Sequence, residues 1–69
     1  MVIKLTTKEV LFESFKELAQ EKKLEDISIN NIVENGHISR ATFYRYFKDK
    51  FDLMEQYYQH EIEKICHDL

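Results

Sequence analysis

The 69-residue sequence predicts an all-α chain: a bundle of three helices and a fourth helix running to the C-terminus. Three observations carry this expectation. There is no proline and only one glycine, so the turn chemistry of a strand-rich or loop-rich fold is missing. Apolar residues recur at three-four spacing in four separate segments. A Thr, Ser or Asp stands just before each of these segments, where a helix N-cap belongs.

Taken in order, residues 1–5 form a short arm with no assignable role. Thr6, with Glu9 three residues later, makes a capping box. Leu11, Phe12, Phe15, Leu18 and Ala19 then recur on one face, which predicts helix 1 from about Thr7 to Lys22. Its outer face of Lys8, Glu9, Glu13, Lys16, Glu17 and Glu21 reads as a solvated surface with weak ion pairs. Lys23 to Ile27 is a connector, with Leu24 and Ile27 as its apolar anchors. Ser28 caps helix 2, from Ile29 to about Asn35, and Ile27 and Ile32 are placed for a hydrophobic staple. Ile29, Ile32 and Val33 form the buried stripe of that helix, leaving Asn30, Asn31 and Glu34 outside. Gly36-His37 breaks the helix, and Ile38 turns the chain inward.

Ser39 caps helix 3, and Ile38 with Phe43 makes its staple. Phe43 and Phe47 share one face, while Arg40 with Tyr44 and Ala41 with Arg45 occupy the other. Two short helices joined by a tight glycine-containing turn, the second one basic and aromatic, make a helix-turn-helix. Asp49 caps helix 4, and Asp52 places negative charge near its start. Phe51, Met54, Tyr58, Ile62, Ile65 and Leu69 keep a three-four register to the last residue. The helix shows no stop signal, as expected of a cut element or one awaiting a partner. The domain expectation is therefore 1–50 for the helix-turn-helix and 51–69 for the fourth helix.

The net charge of −3 with pI near 5.5 is wrong for a generic polyanion binder. Its distribution changes the picture. Residues 36–50 hold Arg40, Arg45, Lys48 and Lys50 against Asp49, a local charge of +3. Residues 51–69 hold Lys64 against Asp52, Glu55, Glu61, Glu63 and Asp68, a local charge of −4. The one basic segment coincides with helix 3 and its flanks. A face of Arg, Tyr, Thr and a small residue suits a polyanion with readable edges, which is duplex DNA. The competing structural reading is an amphipathic helix with a solvated face. Cys66 is the sole cysteine, so no internal disulfide can form, and a reducing cytoplasm fits. Met1 to Leu5 is too short for a signal sequence, and no apolar run is long enough for a membrane span.

From about Leu11 to Leu53 the chain resembles the N-terminal DNA-binding domain of the tetracycline-repressor (TetR) family of bacterial transcriptional regulators. The segment T-F-Y-R-Y-F-K-D-K at 42–50 is similar to that family's helix-3 signature running into its helix-4 lysine. S-I-N-N-I-V-E-N at 28–35 is similar to helix 2, and L-F-E-S-F-K-E-L-A at 11–19 to the end of helix 1. Two departures stand out. Lys23 stands where the family usually has a glycine at the end of helix 1, and Gly36-His37 replaces its Ala-Gly turn. A left-handed residue at 37 would carry a strain of about 1 kcal/mol.

The resemblance implies sequence-specific DNA binding as the head of a transcriptional regulator, with a repressor expected. It implies that Ser28 and Asn30 contact the DNA backbone and sometimes a base, and it places Ser39, Arg40, Ala41 and Thr42 at the major-groove end of the recognition helix. Arg40 is the candidate to fork onto guanine. Tyr44 matches a phosphate donor, Arg45 and Tyr46 match variable contacts, and Lys50 matches a phosphate-binding lysine. Lys48 is a further candidate DNA contact, with a solvated lysine near the DNA but not on it as the alternative, and partial core packing is the alternative for Tyr46. The resemblance further implies palindromic half-sites and a homodimer held by a C-terminal domain that also binds a small molecule. That domain is absent here, so a weak dimer or none is expected of these 69 residues.

No cofactor is expected. His60, Glu61, Lys64, Cys66 and His67 are potential metal ligands on helix 4, but the i,i+4 histidine pair of a zinc helix is missing, and no metal site is assigned. No nucleophile-base or paired-carboxylate arrangement supports an enzyme. The competing function class is a protein-interaction module that keeps the head but docks on another regulator.

Overall fold

The computed structural model describes residues 5–67, with the backbone alone described for 64–67. Four α-helices appear in order: α1 (Thr7–Glu21), α2 (Ile29–Gly36), α3 (Arg40–Tyr46) and α4 (Lys50–His67), with a 3₁₀ turn at Leu24–Asp26 between the first two. The fold is all-α, as the caps and periodicity predict. The arm at residues 1–4 and the C-terminal Asp68 and Leu69 lie outside the described residues, as do the side chains of Ile65 and Cys66.

Each helix starts where a side chain can satisfy its free amides. Thr6 Oγ1 accepts from Glu9 N at 3.2 Å while Glu9 Oε1 accepts from Thr6 N at 3.3 Å. Ser28 and Asn31 make the same reciprocal pair at 3.1 Å each way. Ser39 Oγ accepts from Thr42 N at 3.2 Å, and Asp49 Oδ1 accepts from Asp52 N at 2.8 Å. Asp52 also reaches back to accept from Lys48 N at 2.9 Å, so the turn between α3 and α4 is closed from both sides. That bond, with a second from Gln56, holds the Asp52 carboxyl below its usual range.

α2 ends in a Schellman motif. His37 N donates to Glu34 O and Ile38 N to Val33 O, and His37 takes the left-handed conformation, φ 57° and ψ 42°. The glycine sits one residue too early to relieve this strain: Gly36 is the last residue of α2, facing Val10 and Ser14 of α1. His37→Gly should therefore stabilise the fold by about 0.5–1 kcal/mol, the relief of a left-handed side chain less the extra freedom of the unfolded chain. A thermal melt checks this: a rise of several degrees is expected, and an unchanged midpoint would show the turn is unstrained. The other departure carries no such cost. Lys22 and Lys23 are both extended, so the end of α1 asks for no glycine.

One core joins all four helices: Leu11, Phe12 and Phe15 of α1, Ile27, Ile32 and Val33 at and within α2, Phe43 and Phe47 at α3, and Leu53 of α4. Among the described residues Ser14 is the buried polar one, and its Oγ donates to Ile32 O at 2.6 Å. Asn35 Nδ2 donates to Ser14 Oγ at 3.1 Å and to Glu17 Oε2 at 2.9 Å, so α1 and α2 are pinned by polar as well as apolar contacts.

Three expectations are corrected by the packing. Leu24 is no anchor: the 3₁₀ turn leaves it exposed beside Phe51 and Met54. Ala19 is exposed and Leu18 only half-buried, because the last turn of α1 lies past the core. Among the described residues the inward face of α4 is Leu53, Tyr57 and His60, with Met54 of the expected stripe packed beside them, whereas its Phe51, Tyr58 and Ile62 point outward. Phe51 is 65 % exposed, Tyr58 50 % and Ile62 58 %. Tyr57 packs edge-on to Phe15 at 5.4 Å, and His60 lies against Phe12 at 5.1 Å. Burial, reinforced by the Glu61 and Glu13 charges, raises the Tyr57 phenol pKa.

Candidate nucleic-acid interface

The aromatic pair decides how α3 presents itself. Phe43 is fully buried and Phe47, the residue that ends α3, is almost so; their rings sit 5.5 Å apart. Phe47 reaches on to Phe12 of α1 at 5.8 Å. With this face locked inward, Arg40, Ala41, Tyr44, Arg45 and Tyr46 are all exposed, and Thr42 is half-buried. Ser39 and Thr42 hydroxyls lie 2.9 Å apart at the exposed start of the helix.

Arg40 lies along Tyr44. Its Nη2 is 3.5 Å from the phenol oxygen, to which it donates, and its guanidinium carbon is 5.9 Å from the ring centroid. This places the guanidinium without consuming its fork, since one N–H is spent and four remain in an Arg side chain.

The fold brings Ser28, Asn30, Arg40 and Lys50 to one shallow groove of about 390 Å³, together with Asp26 and Asp49. Residues 22 apart in the chain thus lie at one place. Lys48 stands apart from this groove in the α3–α4 turn, and Tyr46 is exposed, its ring centroid 6.5 Å from that of Phe47. Glu25 lines the groove as well, and no local pattern in the sequence marks these three carboxylates as part of the surface. Lys50 Nζ donates to Leu24 O at 3.0 Å and Ile27 O at 2.7 Å, which spends two of its three donors. No local pattern signals such a bond, because the partners are 26 and 23 residues away.

No three metal-ligating side chains come together among the described residues. The side chains of Lys64, Cys66 and His67 lie outside them. No helix among the described residues is long and apolar enough to cross a membrane.

The family model for bacterial regulatory proteins of the tetR family matches residues 11–57, from the core face of α1 to Tyr57. The HTH-type dhaKLM operon transcriptional activator DhaS of Lactococcus lactis subsp. lactis (strain IL1403) is 27% identical over 64 residues. That match covers 93% of this chain and 34% of DhaS, so the chain spans about a third of the length of this curated relative. No solved structure matches the chain. The tetR-family regulators are not an enzyme family but carry a helix-turn-helix that binds DNA. With the family match covering more than half of its length and its helices in that arrangement, this chain belongs to the tetR family of bacterial transcriptional regulators.

Proposed function

We propose that this chain reads a DNA sequence by laying α3 in the major groove. The observation that carries this is the division of α3 into a buried Phe43–Phe47 face and an exposed face of Arg40, Ala41, Tyr44 and Arg45. In this reading Ser39, Arg40, Ala41 and Thr42 meet base edges, and Tyr44 donates to a phosphate. Arg45 and Tyr46 extend the contact along the groove. Ser28 and Asn30 touch the backbone from the start of α2, and Lys48 adds charge from the turn. In a regulator as long as DhaS, two heads would pair on the half-sites of a palindromic operator, and a small-molecule ligand would act through the remainder. We take repression as the outcome, because occupying an operator suffices for it. DhaS is named an activator, and activation needs a further contact with the transcription machinery.

A second reading, docking on another protein, draws support from the exposed Phe51, Tyr58 and Ile62 of α4 and the net charge of −3. Titrating salt against binding to random duplex DNA separates the two. DNA binding predicts weak association with a Kd of roughly 10⁻⁴–10⁻⁶ M at physiological salt, and an association constant that falls with salt on a log–log plot with a slope of about −0.9 for each phosphate neutralised. Two or three such phosphates are expected from the exposed cations. A flat salt response would favour the protein-docking module.

A further inference from the structure

We propose that Lys50 is a positioning residue of the DNA interface. It holds the start of α2, with Ser28 and Asn30, at the height where they meet the phosphate backbone, and does not itself neutralise a phosphate. This rests on the DNA-reading function above and assigns Lys50 a different part in it from the one its position in the family motif implies.

The segment between α1 and α2 has little else to hold it. Leu24, Glu25 and Asp26 are exposed, and Ile27 is its one buried side chain. Lys50 closes this segment from across the fold, donating to Leu24 O and Ile27 O at 3.0 and 2.7 Å. Charge-assisted bonds of that length are among the stronger ones available to a backbone carbonyl. The anchor itself is firm. Lys50 is the first residue of α4, and the turn before it is fixed by Asp49 and Asp52.

Ile27 O belongs to the residue just before the N-cap, so holding it sets where Ser28 stands. Ser28 Oγ accepts from Asn31 N, and its N–H donates to Asn31 Oδ1, which leaves the hydroxyl proton as the group free to meet a phosphate. The surroundings of Lys50 speak against a phosphate of its own. Two of its donors are taken, and its Nζ lies 5.5 Å from the centroid of the Phe51 ring. Glu25, Asp26 and Asp49 line the same groove and would repel an approaching phosphate there.

Lys50→Arg and Lys50→Met separate the two roles. Arginine keeps the charge, but its planar fork replaces the compact ammonium that reaches both carbonyls. A positioning role predicts that both variants lose about tenfold in affinity for a selected duplex while keeping the wild-type salt slope. Adding Ser28→Ala to either variant should then cost much less than it does in wild type, because the contact is already lost. In the DNA-free proteins, amide exchange at Ile27 and Asn31 should quicken while the Phe43 amide stays protected, which separates a displaced segment from a global loss of fold. The proposal is overturned if Lys50→Arg binds like wild type and Lys50→Met flattens the slope by about 0.9, the mark of a phosphate ligand. Unchanged exchange at Ile27 and Asn31 would overturn it as well. Wild-type protein that shows no salt-dependent duplex binding would sink the DNA-reading function first, whereas the exchange measurement judges the anchor without DNA.

Discussion

Phe47→Ala should cost about 3–5 kcal/mol, most of the stability a domain of this size commands. The residue terminates α3 instead of lying within it, yet its ring is the joint of the bundle. It meets Phe43 at 5.5 Å and Phe12 at 5.8 Å, so it ties α3 to α1, and Lys8 Nζ covers it at 5.9 Å. Truncation leaves a hole bordered by rigid rings that cannot close in from several helices at once, so the cavity cost adds to the lost transfer energy. Phe51→Ala is the matched control. It removes the same atoms four residues later from a side chain that is 65 % exposed, and should shift stability by no more than about 0.5 kcal/mol. Urea unfolding of the two variants side by side is the measurement. A Phe47→Ala midpoint close to wild type would mean that α3 is not held by this ring.

The two phenylalanines show why the fold could be read from the chain and where that reading stops. Helix starts were legible because a cap is local chemistry: Thr6, Ser28, Ser39 and Asp49 each satisfy an amide three residues on. The inner faces of α2 and α3 were legible because each offers a single apolar stripe. α4 offers two. Phe51, Tyr58 and Ile62 keep helical register, and so do Leu53, Tyr57 and His60, and spacing alone does not choose between them. The choice was made by Phe12 and Phe15, whose rings accept Tyr57 and His60, and that is a contact across more than forty residues. The reciprocal cap of Ser28 with Asn31 was missed because the usual partner is Glu or Gln. The exposed face of α3 was legible for the same reason as its core face, being its complement. The groove beside it was not: Asp26 and Lys50 enter it through the path of the chain, not through any local pattern.

Arg40→Ala should cost about 1–3 kcal/mol on the preferred DNA site and relax the choice of base at one position. The side chain projects from the first residue of α3, the end that enters the groove in this kind of motif. Before DNA arrives it already rests on Tyr44, 3.5 Å from the phenol oxygen and 5.9 Å from the ring centroid. The guanidinium is thus partly ordered in advance, which lowers the entropy lost on forming a two-pronged contact with guanine O6 and N7. This coupling makes the two variants of Tyr44 differ. Tyr44→Phe removes the hydroxyl but keeps the ring under Arg40, so binding should weaken alike on every sequence and selectivity should survive. Tyr44→Ala also removes the support, so selectivity should fall toward that of Arg40→Ala. Binding to a site enriched from random duplexes, and to each single-base variant of it, measures both quantities. If Arg40→Ala keeps the full pattern of base preference, Arg40 touches only the backbone, and the reading of sequence must fall to Ser39, Ala41, Thr42 and Arg45.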